Sequence, residues 1–247
     1  MTRRRWIADE VSGNRAAIVG DHADHLVRVL RARVGQDFDI STADSVRRGR
    51  ITSLSSQRVE FELREEVQSA APIAITLALA IYKFDRFEWA VEKCTELGVS
   101  RILPVIARRT DSHLASASEK RSERWRRIAR QASEQSRRMA PPELADPAEL
   151  PQILKLEAPL RVVLAETGNC AMLPDVLKDR SAAALTNGPI GEIILAVGPE
   201  GGWTGEELQT FPKAGWIAAS LGTTILRAET AAIAATAIVA SAMLSSP

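Results

Sequence analysis

The sequence predicts an α/β protein of two domains: a small β-rich module over residues 1–70 and a larger, mainly parallel α/β domain over residues 73–247. Three observations predict it. Short β-leaning segments, separated by Gly-, Asp- and Ser-bearing turns, fill the first 70 residues. After Ala-Ala-Pro at 70–72, read as a linker, continuous apolar runs alternate with helical patterns, as in strands buried on both faces with helices between them. The length of 247 residues suits one large domain or two small ones.

In the first module the predicted strands are residues 15–20, 36–42, 47–54 and 58–65, forming an antiparallel sheet. In the last of them apolar and charged residues alternate, so one face is solvated. Between them residues 21–35 predict a short helix with Leu26, Val29 and Leu30 turned inward. In the second domain ITLALAI (75–81) reads as a strand buried on both faces. A helix follows, with Asp85 as N-cap, Glu88 completing a capping box and Gly98 at the C-terminal end. The next strand is 101–107. A basic helix over 119–138 comes after it, stopped by Pro141–Pro142. Further strands are expected at 161–166, 192–197 and 216–220. The Ala-rich stretch Ala231–Met243 reads as a buried helix, too short to span a bilayer, which needs about 20 residues. With no apolar run behind the basic start there is no sign of a signal peptide. Two cysteines, Cys94 and Cys170, suit a reducing compartment. A cytoplasmic protein is expected.

A net charge of +1 conceals an imbalance: residues 101–140 carry +7 and residues 141–247 carry −6. The 119–138 helix holds eight cations against three anions, six of the cations within 120–130. Trp125, Ile128, Ala129 and Ala132 make one apolar face, and nearly all the cations are Arg, which forks onto phosphates and stacks on bases. Such a helix attracts polyanions, nucleic acid first among them, although a plain solvated face has the same composition.

Two glycine-bearing loops are the sharpest candidates for chemistry. In EIILAVGPEGGWTGEEL a strand ends at Val197, and Gly198, Gly201 and Gly202 allow close backbone approach. Thr204 and Glu207 then cap a helix. This is a ligand cradle at a sheet's carboxyl edge or a tight turn; it is neither a Walker A loop nor G-x-G-x-x-G. In ASLGTTILRAETAA a strand ends at Ser220, followed by Leu221, Gly222 and an irregular segment with Ile225 and Leu226. Arg227 and Glu229 then flank a buried helix, and spacing alone favours their pairing with each other. Cys94 reads as a buried structural thiol. The three histidines, His22, His25 and His113, have no cluster spacing, so no metal is expected.

The set KFDRFEWAVEKCTELG, RWRRIARQASEQSRR, AVGPEGGWTGEE and LGTTILRAETAA, in this order behind a β-rich start, resembles the bacterial 16S ribosomal RNA uridine-N3 methyltransferases, the RsmE family of the SPOUT superfamily. The resemblance spans essentially the whole chain. It implies a PUA-like N-terminal barrel, a C-terminal α/β domain with a trefoil knot, and a homodimer binding S-adenosylmethionine and acting on 16S ribosomal RNA or the small ribosomal subunit. It adds Ala165 and Glu166 to the cofactor loops. The chain departs from the family pattern at Phe84, at Arg137, where glycine often follows Glu-Gln-Ser, and at Thr224, where Arg is common.

Methyl transfer to the N3 of uridine requires orientation, and it requires loss of the N3 proton. A nearby cation would stabilise the N3 anion. Arg227 is the first candidate, with Arg86 or Lys83 behind it, and Glu200 is a candidate base. For RNA the candidates are Lys83, Arg124, Arg127 and Arg138, with Arg3, Arg4, Arg5, Arg28 and Arg31 as a second basic surface. The competing class is a non-catalytic RNA-binding or ribosome-assembly protein, which would not need the glycine loops; a doubly wound nucleotide-binding enzyme is disfavoured by the missing phosphate motifs.

Overall fold

The N-terminal unit is built on six strands: β1 (Arg5–Ile7), β2 (Glu10–Ser12), β3 (Arg15–Val19), β4 (Asp37–Ser41), β5 (Val46–Leu54) and β6 (Arg58–Glu66), in the order β1-β4-β5-β6-β3-β2. The structure is a computed structural model and describes residues 5–42, 44–68, 73–166, 170–184 and 191–244. The linker expected at 70–72 and the cations Arg3 and Arg4 lie outside the described residues. The sheet is antiparallel except at β1, which runs parallel to β4. Alternation builds its core: Val59, Phe61 and Leu63 point inward from β6 against Ile40, Phe38 and Ile51, and Phe38 meets Phe61 edge to face at 6.4 Å. Gly49 sits at an irregularity of the β5–β6 register, where a Cβ would overlap Ile40 and press on Phe61.

The predicted helix between β3 and β4 is shorter and differently wound. One turn, α1 (Asp21–Asp24), passes into a π-helical turn, His25–Val29, whose i→i+5 bond runs from the Leu30 amide to the His25 carbonyl at 3.1 Å. Leu26 is buried as expected. The wider turn carries Val29 outward, leaving it 65% exposed.

Residues Met1–Pro72 and Arg130–Pro141 form this unit; Ile73–Ala129 and Pro142–Pro247 form the second. The chain passes between them inside the basic helix. The elements of the second unit follow in chain order: β7 (Ile75–Ala80), α2 (Phe84–Glu96), β8 (Arg101–Ile106), α3 (Ser112–Ser118), α4 (Ser122–Gln135), β9 (Glu143–Leu144), β10 (Ala148–Glu149), α5 (Leu150–Ile153), β11 (Leu160–Leu164), β12 (Ala171–Met172), α6 (Leu173–Ala184), β13 (Ile193–Val197), α7 (Gly205–Lys213), β14 (Ile217–Ser220) and α8 (Ala228–Leu244).

The second sheet is parallel, in the order β10-β8-β7-β13-β11-β14-β12 with β9 beside β8. Every residue of β7 and β13 is buried, as a strand covered on both faces requires. Ile75, Leu77 and Leu79 face α2, α6, α8 and Trp125 of α4; Ala78 and Ala80 face α5, α7, Trp203 and Trp216. The product is a three-layer α/β/α sandwich.

Two helix ends correct the sequence reading. Helix α2 starts at Phe84 with Lys83 as N-cap, so Asp85 lies in the first turn, and no side chain caps this end. Glu88 points into the protein, 9% exposed, accepting from Arg124 at 2.8 Å and Arg121 at 3.4 Å. Phe84 packs edge-on to Trp125 with Arg121 over its ring at 4.8 Å. Gly98 does end the helix, at φ +104°.

Helix α4 stops at Gln135, before the prolines, through a left-handed residue, Arg137, at φ +59°. This is the position at which the RsmE pattern often has glycine. A left-handed non-glycine residue costs about 1–2 kcal/mol, partly offset by the entropy a glycine loses on folding, about 0.5–1 kcal/mol. Arg137→Gly is therefore expected to stabilise the protein by about 0.5–1 kcal/mol, read as a higher urea midpoint at unchanged slope.

Candidate active site

Three parallel neighbours, β13, β11 and β14, end side by side, with Val163 opposite Ala196 and Leu164 opposite Ala219. Their following loops meet at the carboxyl edge of the sheet, where open α/β sheets place their ligands. They enclose a cavity of about 300 Å³, within the range of roughly 300–1,000 Å³ of small-molecule sites.

Each loop has a local reason for its shape. After β13, Pro199–Gly202 is a tight turn closed by the Gly202 amide on the Pro199 carbonyl at 2.7 Å, and Gly202 adopts φ +68°. A Cβ on Gly198 would lie 3.2 Å from the backbone and the ring of Trp203, so this glycine lets the indole close in behind the loop. Thr204 and Glu207 form the expected capping box on α7, and the second Glu207 oxygen accepts the Arg108 amide at 2.8 Å. After β14, the Ser220 hydroxyl bonds the Gly222 amide at 3.2 Å and donates to its carbonyl at 3.1 Å, folding the chain back on itself. After β11, the Ala165 amide donates to the Ala219 carbonyl at 3.0 Å, and Glu166 is exposed at the rim.

The structure brings together at this cavity all the residues read from the two glycine loops and the third loop: Ala165 and Glu166; Val197, Gly198, Gly201 and Gly202; Ser220, Leu221, Gly222, Ile225 and Leu226. Thr224 lines it too. Arg109 was missed by sequence reasoning. It comes from the loop after β8, donates through Nη1 to the Gly201 carbonyl and lines the cavity. No motif marks it, since it is one Arg among many in a basic stretch.

The charged candidates separate. Glu200 lines the cavity and accepts a hydrogen bond from Arg86 Nη1 at 2.6 Å. Arg86 Nε also faces Glu229 Oε1 at 3.9 Å. The pairing that spacing suggested, Arg227 with Glu229, is not formed: Glu229 is turned inward to Arg86 across α2 and α8, while Arg227 is exposed and off the cavity wall. Lys83 is exposed at the N-terminus of α2. Cys94 is fully buried, accepts from the Thr236 hydroxyl at 3.6 Å, and burial pushes its thiol up to about 12.

The basic helix is less free than its charge suggests. Trp125, Ala129 and Ala132 are buried as expected. Arg121 and Arg124 are held by Glu88, and Arg126 by Glu123 and by Asp146 at 2.9 Å. Arg127 is exposed and makes no ion pair among the described residues. In the N-terminal unit, Arg130 bonds Asp9 at 2.7 Å and the Ile7 carbonyl at 2.8 Å. Arg138 is not turned to solvent: it is half-buried, and desolvation holds its guanidinium down at about 10. Arg5, expected on a basic surface, is 8% exposed and donates to the Arg137 carbonyl. Arg28 is exposed but paired with Asp24 at 2.7 Å, and Arg31 ends its turn at φ +49°. Among the described residues no group of three or more His, Cys, Asp or Glu is placed to hold a metal ion, and no helix is long and apolar enough to cross a membrane.

Comparison with known proteins agrees with this geometry. The family described as RNA methyltransferase domain matches residues 69–240. The ribosomal RNA small subunit methyltransferase E of Synechocystis is 35% identical over 211 residues, covering 84% of this chain and 66% of its own length. That of Bacillus subtilis is 28% identical over 225 residues, covering 87% and 85%. The crystal structure of a ribosomal RNA small subunit methyltransferase E from Neisseria gonorrhoeae, bound to S-adenosyl methionine, superposes with a TM-score of 0.81 at 30% identity over 96% of both chains. A domain-length family match, with a relative of this identity and coverage sharing the same fold, places the chain in a known group: it belongs to the RNA methyltransferase family.

Proposed function

We propose that this protein methylates the N3 of a uridine in the 16S RNA of the small ribosomal subunit, using S-adenosylmethionine held in the three-loop cavity. The observation that carries the reading is the convergence of the loops after β11, β13 and β14 on one cavity at the sheet's carboxyl edge. The residues fit the cofactor. Leu164, Val197, Ile225 and Leu226 offer apolar wall for a purine, glycines bring backbone donors and acceptors close, and Glu166 offers a carboxylate to hydroxyl or ammonium groups. When bound, the cofactor supplies a methyl group on a positively charged sulfur that leaves as a neutral thioether. We extend the reading to the architecture: a PUA-like N-terminal unit that grips RNA, a knotted catalytic domain, and a homodimer in the cytoplasm.

The chain's own residues then have three tasks. The three loops would hold the cofactor and fix its orientation toward the uracil. Arg86 stabilises the charge that grows on the uracil, in place of Arg227: neither side chain lines the cavity itself, but Arg86 donates to Glu200 on its wall. Glu200 takes the N3 proton and passes it to water, which leaves the N3 electron pair free for the methyl group that the cofactor would supply.

Calorimetry of S-adenosylmethionine binding, with labelled methyl transfer to small subunits lacking the modification, tests the whole reading. Binding with transfer is expected; a chain that binds RNA but not the cofactor would belong to the non-catalytic class. Arg227→Ala is expected to change kcat by less than about threefold, against the roughly 10²-fold fall that follows when one electrostatic interaction with the transition state is removed. A fall of that size would return the role to Arg227. For the RNA grip, Arg124→Ala/Arg127→Ala is expected to weaken binding to ribosomal RNA and flatten log K against log salt by about 1 for each phosphate no longer neutralised, with cofactor affinity unchanged. Arg127 should contribute most, since Arg124 is shared with Glu88. Wild-type affinity and slope would leave this helix as a solvated face.

A further inference from the structure

One carboxylate beside the cavity has no part in the chemistry so far. Glu229 opens α8, is 3% exposed, and has one oxygen, Oε2, buried without a hydrogen-bond partner among the described residues. The cation facing it is Arg86. Arg86 meets two carboxylates with different parts of its guanidinium: Nε is 3.9 Å from buried Glu229, and Nη1 is 2.6 Å from Glu200 at the cavity. The side chains of Arg86 and Glu200 are each about one-third exposed, against 4% for Glu229, so the inner contact is sheltered and the outer one is open to exchange. The N-terminus of α8 favours a negative charge at this position. An uncharged residue of equal size would fill the space without the cost of desolvating a carboxylate.

We propose that Glu229 is a positioning residue: it anchors Arg86 from the buried side, so that Arg86 exchanges Glu200 for the incoming pyrimidine without leaving its place beside the cavity. This rests on the methyltransferase reading above and deepens it. The exchange does two things at once. It moves a cation onto the ring that is losing its proton, and it frees the Glu200 carboxylate to take that proton. An Arg86 held by Glu200 alone would have no fixed place once that interaction broke.

Tyr82 and Cys94 are the other titratable groups of this buried neighbourhood. Burial, with Cys94, Glu229 and Glu200 nearby, pushes the Tyr82 phenol up, and burial pushes the Cys94 thiol up. Neither changes charge across the neutral range, so the charges of this neighbourhood are those of Arg86 and its two carboxylates.

The test uses the full-length protein with Glu229→Gln, which keeps shape and removes charge. Expected are unchanged S-adenosylmethionine affinity by calorimetry, an unchanged or higher melting temperature, and kcat for methylation of small subunits lower by about tenfold or more. Glu229→Gln/Arg86→Ala should be no slower than Arg86→Ala alone. A wild-type kcat in Glu229→Gln, or additive losses in the double variant, would overturn the proposal. Should Glu229→Gln not fold, Arg86→Lys carries the test, since an ammonium without a fork cannot reach both carboxylates; a wild-type kcat there overturns it equally. Failure of the wild-type protein to bind the cofactor or transfer methyl would instead defeat the underlying reading.

Discussion

Gly202→Val is expected to abolish S-adenosylmethionine binding while the far-UV circular dichroism stays at wild type. Two independent causes act. Gly202 sits at φ +68°, a backbone that a β-branched residue adopts only with strain. No heavy atom lies within 4 Å of its would-be Cβ, so the isopropyl group adds bulk that no neighbour confines to a residue that lines the cavity. The fold should survive because the tip of the loop, Glu200 and Gly201, is exposed and its neighbours, Val197 and the Thr204–Glu207 cap, are set by interactions of their own. Calorimetry with an affinity within twofold of wild type would mean that the loop is only a turn. Gly198→Ala should be milder in binding and worse in stability, since its Cβ presses on Trp203.

Arg86→Ala should lower kcat by about 10²–10³-fold with little change in cofactor affinity, the scale of losing one donor to transition-state charge. Removing Arg86 also leaves buried Glu229 without its cation and Glu200 without its partner. Some loss of stability is therefore expected as well, and the kinetic effect is to be read at a temperature where circular dichroism shows the variant folded. An unchanged kcat would leave Arg86 as a structural ion pair and the uracil's charge to another cation.

The parallel domain was legible because its longer strands are mainly apolar runs and two of the three cofactor loops begin where such a run ends. Val197 and Ser220 mark those ends in sequence and in space alike, whereas the strand expected over 161–166 stops at Leu164, and the loop after it was supplied by the family resemblance. The short strands escaped: β9, β10 and β12 are two residues each and exist only because a longer neighbour offers an open edge. In the N-terminal unit β1 and β2, three residues each, escaped for the same reason. The π-helical turn was invisible because Leu26, Val29 and Leu30 fit an α-helical period equally well.

The site was legible as loops and not as charges. Glycines and strand ends are local signals, whereas Arg86, Glu200 and Glu229 are brought together from α2, the loop after β13 and the start of α8, with more than a hundred residues between Arg86 and either carboxylate. Spacing favoured Arg227 with Glu229 because they are neighbours in sequence. Packing of α8 on α2 decided otherwise. The basic helix shows the same limit: its eight cations are visible in sequence, but not that Glu88, Asp146 and Asp9 engage several of them.

The account is tested most directly by mass spectrometry of nucleosides from the small-subunit ribosomal RNA of a strain lacking this gene, compared with the same strain carrying the gene restored. It predicts that 3-methyluridine disappears on deletion, returns with the wild-type gene, and stays absent with a Gly202→Val copy. An unchanged 3-methyluridine content in the deletion strain, or the loss of a different methylated nucleoside, would contradict it.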